Sequence, residues 1–222
     1  MNINEVTWIT SFNSIYYENV AKYNLPTWDY LEGNKVLMAD DMPGFTYKGM
    51  TVINSAPAYP SKTDIYYQIS GKKHKFWKKG KCFIWALRNI KTRYLIWLDS
   101  DVKVNATPDL ERFMPEEGQV ASIICGNLIQ AESGFVIIDR YHELFESWLK
   151  VYEEAWYNGV VDTLHRPWDN DILWYAIKNL PHKNLSKSVQ RSPQGFEDTD
   201  LLDYMFHYSG KGRKHLVRET NE

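Results

Sequence analysis

Two hydrophobic periods take turns along the chain. Short apolar runs bounded by polar or turn residues read as strands. They are "VTWITSF" from Val6 to Phe12, "KVLMADD" from Lys35 to Asp41, "YLIWL" from Tyr94 to Leu98, "QVASIIC" from Gln119 to Cys125 and "SGFVIID" from Ser133 to Asp139. Between them, apolar residues recur three and four apart, as on one face of a helix. Residues 14–23 read as a helix ended near Pro26. Phe76, Phe83, Leu87 and Ile90 predict a helix over 74–92, with Gly80 counting against it. Leu144, Trp148, Val151, Tyr152 and Ala155 predict another over 140–157. Ile172, Leu173, Ala176 and Ile177 predict a further helix, capped by Asp169 and stopped by Pro181. Residues 42–64 and 182–200 read as mostly irregular. Strands alternating with helices predict an α/β fold, a mostly parallel central sheet flanked by helices, in one domain over 1–222.

The run "YLIWLDSDV" drives an apolar strand straight into two acids, Asp99 and Asp101. A strand of this kind is buried on both faces of a parallel sheet, and such sheets bind ligands beyond the carboxyl ends of their strands. In an extended tripeptide the first and third side chains point the same way. Two converging carboxylates repel unless a positive charge lies between them, and a divalent cation such as magnesium, calcium or manganese suits hard oxygen ligands. A helix cap beside a solvated acid fits the same two residues.

Composition narrows the class. The chain has 222 residues, 44% hydrophobic and 15% aromatic, enough for one large core. Nine tryptophans and fifteen tyrosines suggest aromatic walls around a site as well as core filling. Two cysteines, Cys82 and Cys125, give no disulfide framework or zinc spacing and fit a reducing compartment. No apolar run approaches the ~20 residues that span a bilayer. The start lacks a basic region followed by an apolar stretch, so the expectation is a soluble, cytoplasmic protein.

The net charge of −2 conceals an asymmetry. Residues 65–98 hold nine Lys and Arg and no Asp or Glu, which leaves the rest strongly acidic. Such a segment attracts a polyanion, or forms a solvated helix face. Within it, "KKHKFWKKGK" interleaves six lysines with His74, Phe76 and Trp77. That pattern also suits a non-catalytic nucleotide or nucleic-acid binding module. The acids at 99, 101, 169 and 171 have no part in such a module. A phosphatase of the haloacid dehalogenase type also carries Asp-x-Asp after a strand, but it wants Thr or Val where Lys103 stands.

Four segments resemble, in order, the nucleotide-sugar glycosyltransferases of GT-A fold related to glycogenin and to bacterial lipooligosaccharide galactosyltransferases. "KCFIWALRNIKTRYLIWLDSDV" resembles the helix and strand leading into that group's Asp-x-Asp motif. "ESGFVIID" resembles its glycine-bearing strand, "WDNDILWYAI" its Asp-Gln-Asp-Ile-Leu-Asn helix start, and "HYSGKGRK" its closing His-x-x-Gly-x-x-Lys. Asn170 stands in place of Gln and Trp174 in place of Asn, and the closing motif is one residue longer.

The resemblance implies transfer of a hexosyl or pentosyl group from a nucleotide-diphosphate sugar, with UDP as carrier, to a hydroxyl acceptor. It implies a cation, Mn2+ or alternatively Mg2+, held by Asp99, Asp101 and His207. Donor contacts fall on Thr10, Ser11, Lys81, Ser100, Glu132, Gly134, Gly210 and Lys214, with Lys211 and Arg213 as alternatives for the phosphate. Asp169 and Asp171 take the catalytic places near the reacting carbon. They stabilise an oxocarbenium-like centre in a retaining enzyme, or one serves as general base in an inverting enzyme. Asp40 or Asp41 either touches the base or serves a turn. Residues 203–222 form a segment closing over the donor. The acceptor is a glycan or lipid-linked sugar, or alternatively hydroxymethylated pyrimidines in DNA, with Trp77 or Trp168 available to stack on an extruded base.

Overall fold

The computed structural model describes residues 1–54, 73–115, 120–125, 130–158, 160–164, 168–187 and 196–208. Among the described residues, seven strands form the main sheet: β1 (Val6–Asn13), β2 (Asn34–Asp40), β3 (Thr51–Asn54), β4 (Tyr94–Leu98), β6 (Val120–Cys125), β7 (Gln130–Asp139) and β8 (His182–Asn184). Their order is β3-β2-β1-β4-β7-β6-β8. Neighbours pair in parallel except at β7, which runs against both β4 and β6. Two short strands, β5 (Val102–Val104) and β9 (Met205–His207), pair antiparallel beside it.

The buried strands follow the two-residue period. In β4, Leu95 and Trp97 face one hydrophobic layer and Ile96 and Leu98 the other. Helix α1 spans residues 14–24, α2 is Lys73–Asn89, α3 is Phe145–Tyr157 and α4 is Asp169–Ile177. The last three supply the first layer. The second layer holds residues from 21–31, 110–114 and 196–205. Among the described residues, no helix is long and apolar enough to cross a membrane.

Most element boundaries moved by a few residues. The third predicted helix begins at Phe145 because residues 140–144 are turns. The region after Pro181 is not wholly irregular, since β8 adds a parallel edge strand to β6. Tryptophan is mainly core filling here: Trp8, Trp28, Trp77, Trp97, Trp148 and Trp156 are fully buried. Trp77 therefore cannot stack on a ligand. It packs on Trp156 at 5.4 Å and edge-on to Tyr157 at 5.2 Å.

Gly80 does not break α2, and its reason is packing. A Cβ there would lie 2.6 Å from Cε2 of Trp156. Helix propensity alone would favour alanine by about 1 kcal/mol. Overpacking against a buried indole costs about 1–3 kcal/mol and wins. Gly80→Ala should therefore lower the urea midpoint, whereas the propensity argument demands that it rise.

Candidate active site

A cavity of about 490 Å³ opens where β1, β2 and β4 end and β7 begins. The antiparallel direction of β7 brings Glu132 and Ser133, near its start, to the same edge as the ends of the parallel strands.

Asp99 follows β4 directly, and its N–H still donates to the Gly134 carbonyl at 2.9 Å. The chain then turns instead of staying extended: the Val102 N–H donates to the Asp99 carbonyl at 3.0 Å. The two carboxylates thus meet through a tight turn, which corrects the strand-alternation expectation. Pairing of β5 with β9 sets His207 opposite Val102. The Tyr208 N–H fixes this register by donating to the Asp101 carbonyl at 2.9 Å.

Ligand atoms of Asp99, Asp101 and His207 all lie within 4.8 Å of one another. His207 Nε2 is 3.1 Å from Asp101 Oδ1 and 4.0 Å from Asp99 Oδ2. Its Nδ1 is buried without a hydrogen-bond partner among the described residues. Burial pushes the imidazole pKa down, but the charges of Asp101, Glu132 and Asp99 outweigh it and pull it up to about 8. The cluster thus favours a positive charge at its centre. Two carboxylates and one imidazole fit manganese, or magnesium with less use for the nitrogen. A Cβ on Gly134 would come within 2.6 Å of His207 Cε1, so glycine leaves the space this ring occupies.

Lys79, expected only as one lysine of the basic segment, stands at the centre. Its Nζ is 2.7 Å from Asp99 Oδ1 and 2.8 Å from Asp169 Oδ2. It also donates to the Ser133 carbonyl at 2.9 Å and Oγ at 3.0 Å. Burial works against its charge, but Asp169 and Asp99 more than compensate and hold its pKa above the usual lysine range. The signal was legible. Lys79 lies three residues after Phe76 and four before Phe83, on the core stripe of α2. Lys81, two residues on and roughly 200° around the helix, does not line the cavity.

Asp169 is the first residue of α4, and Trp168 holds the cap position, so Asp169 does not serve as the helix cap. Its carboxylate instead accepts from Ser133 Oγ at 2.6 Å and pairs with Lys79. Burial would raise its pKa, yet Lys79 and Ser133 bring it below the usual carboxylate range. Asp171 does not line the cavity. Gln130 Nε2 stands 3.5 Å from both of its oxygens.

The cavity brings together Ser11, Asp99, Ser100, Asp101, Glu132, Asp169 and His207 from the sequence expectations. Thr10 is fully buried beneath it rather than part of its lining. Burial raises the Glu132 carboxyl, which accepts from the Gly134 N–H at 2.9 Å. Asp40 lines the cavity and pairs with Lys78 at 2.7 Å. Asp41 serves the turn, accepting from the Ser14 N–H at 2.7 Å. Gly210, Lys211, Arg213 and Lys214 lie outside the described residues, as does most of the proposed 203–222 closing segment. Besides Lys79, the structure adds Tyr16, Asn170 and Ser133 to the wall, and Trp168, expected as a stacking surface, lines it too.

No protein-family model and no curated protein matches the sequence. Solved structures do match. The glycosyltransferase GlyE of Streptococcus pneumoniae TIGR4 superposes with a TM-score of 0.60 at 13% identity, over 97% of this chain and 59% of GlyE. The galactosyltransferase LgtC, solved with donor and acceptor sugar analogs, superposes with a TM-score of 0.54 at 12% identity, over 96% of this chain and 94% of LgtC. The bifunctional glycosyltransferase WbbM gives a TM-score of 0.56 at 9% identity, over 93% of this chain and 46% of WbbM. The chain has a GT-A fold. At these identities the likeness is one of fold. In this GT-A fold the Asp99–Asp101 turn sits at the carboxyl edge of β4, between the β1 end and the β7 start. The chain spans about three-fifths of GlyE, and nearly all of LgtC.

Proposed function

We propose that this chain is a metal-dependent glycosyltransferase, moving a sugar from a UDP-sugar to a hydroxyl of a glycan or lipid-linked sugar. The observation that carries the reading is the Asp99–Asp101–His207 cluster, placed beside the Lys79–Asp169 pair in one cavity of a GT-A fold.

A nucleotide sugar departs as a diphosphate, so negative charge builds on a leaving oxygen. A cation held by Asp99, Asp101 and His207 would supply the charge that stabilises it. The chain's own residues do the rest. Ser11, Asn13 and the Lys78–Asp40 pair form the polar wall at the β1–β2 end, suited to a nucleoside. Lys79 and Ser133 keep Asp169 ionised and aimed into the cavity. An ionised carboxylate there stabilises positive charge developing at the anomeric carbon. Asp171, held off the cavity near Gln130, acts at most through the α4 helix start.

The acceptor side is aromatic. Trp168 is exposed at the rim, with the Phe76 ring 6.2 Å away at 36°. Such a surface offers an apolar face to a sugar ring, with Asn170 adjacent for its hydroxyls. The glycan reading is favoured over the DNA acceptor by two lysines of the basic segment, Lys78 and Lys79, which pair with Asp40, Asp99 and Asp169.

The test is a sugar-nucleotide panel with manganese, scored for nucleoside diphosphate release with and without glycan acceptors. Metal-dependent release that rises with a glycan is expected. No release from any donor at saturating metal would reject the reading.

A further inference from the structure

Helix α1 contains a π turn. The Lys22 N–H donates to the carbonyl of Tyr17, five residues back, across the segment Tyr17–Ala21. Single π turns inside α-helices insert one residue and often mark functional sites. Here the insertion has a geometric effect. Tyr16 and Asn24 are eight residues apart, which in a plain α-helix leaves them roughly 80° out of phase. Absorbing one residue in the π turn makes the spacing equivalent to seven, roughly 20° from two full turns.

Both residues use that shared face on the same target. Tyr16 OH donates to Asp101 Oδ2 at 2.8 Å. Asn24 is fully buried, and its Nδ2 donates to the Ser100 carbonyl at 3.0 Å. The chain then adds a third contact, the Val104 N–H donating to Thr27 Oγ1 at 2.9 Å. Thr27 is itself tied back to the Asn24 carbonyl at 2.6 Å. One segment thus grips Ser100, Asp101 and Val104 in succession. Tyr16 takes one carboxylate oxygen of Asp101 while His207 takes the other.

We propose that residues 16–27 are a clamp that orients the Asp99–Asp101 turn for cation binding, with Tyr16 as the positioning residue for Asp101 and the π turn setting its phase. The proposal rests on the metal-dependent reading above. Partners that orient a ligating carboxylate typically govern metal affinity by about 10–100-fold.

The test is Tyr16→Phe, which removes the phenolic donor and keeps the ring. Free Mn2+ is titrated against the protein without nucleotide and read by electron paramagnetic resonance, and thermal melting is followed by circular dichroism. The expected result is manganese affinity weakened roughly tenfold or more, with the melting midpoint shifted by no more than about 4 °C. Affinity within twofold of the unmodified protein overturns the clamp. So does a weakening matched by a large drop in melting midpoint, which would make Tyr16 a fold residue. If the unmodified protein takes up no manganese, the metal reading falls and takes the clamp with it. If manganese binds but no sugar nucleotide is turned over, only the transferase reading falls, and the Tyr16→Phe titration still decides the clamp.

Discussion

Asp101→Asn should abolish metal-dependent turnover while the protein stays folded. Asp101 is 5% exposed and takes hydrogen bonds on both carboxylate oxygens, from Tyr16 and from His207. The amide keeps the shape but loses the charge and one acceptor, so cation affinity falls at the position closest to His207. Removing a group that stabilises leaving-group charge costs about 10²–10³ in rate even where other contacts remain. The comparison is nucleoside diphosphate release at limiting manganese, with circular dichroism as the folding control. Turnover within threefold of the unmodified protein would reject the assignment of Asp101 as a metal ligand.

Lys79→Met should be the most destabilising single change in the cavity. It strips the shared cation from Asp99 and Asp169, whose side chains are 25% and 8% exposed. Breaking a buried ion pair from one side costs roughly 3–5 kcal/mol, because the remaining charge is left without compensation. The pH dependence has a definite sign. Asp169 has a lowered pKa in the folded state, so its contribution is present above the unfolded value near ~3.9 and is lost as pH falls below it. Urea unfolding without metal should therefore show a gap of several kcal/mol at pH 7 that narrows as pH drops through the carboxylate range. A gap that is constant from pH 7 to pH 3 would mean that the loss is one of packing, not of charge.

The five long strands were legible because their apolar runs are buried in the sheet, and the central helix because its stripe is regular; the short strands β3, β5, β8 and β9 carry no such run. The Asp-x-Asp site was legible from the abrupt change at Leu98–Asp99, though the means of convergence was not. Alternation is a local rule, whereas the turn at Asp99–Val102 is held by Asn24 and Tyr16 from a helix more than 70 residues earlier in the chain. The resemblance points to Lys81 by its place in the sequence, which takes no account of helix face. The helical period would have ranked Lys79 first, since a lysine on a core stripe demands buried acids. Gly80 misled for a related reason. Propensity assigns it a cost, and only Trp156, from another helix, reveals what the missing side chain makes room for.

Asp101 and His207 are 106 residues apart in sequence and 3.1 Å apart in space. In polymer terms, an ion gripped by both is a reversible staple across nearly half the chain. A permanent covalent cross-link closing a loop of ~100 residues would remove unfolded-state entropy worth about 4.7 kcal/mol. The ionic version is set by supply: above the dissociation constant, each tenfold rise in free metal adds about 1.4 kcal/mol to the folded state. Resistance to unfolding and to proteolysis would then follow the metal content of the surroundings, making the persistence of the chain, as well as its turnover, a function of cation availability.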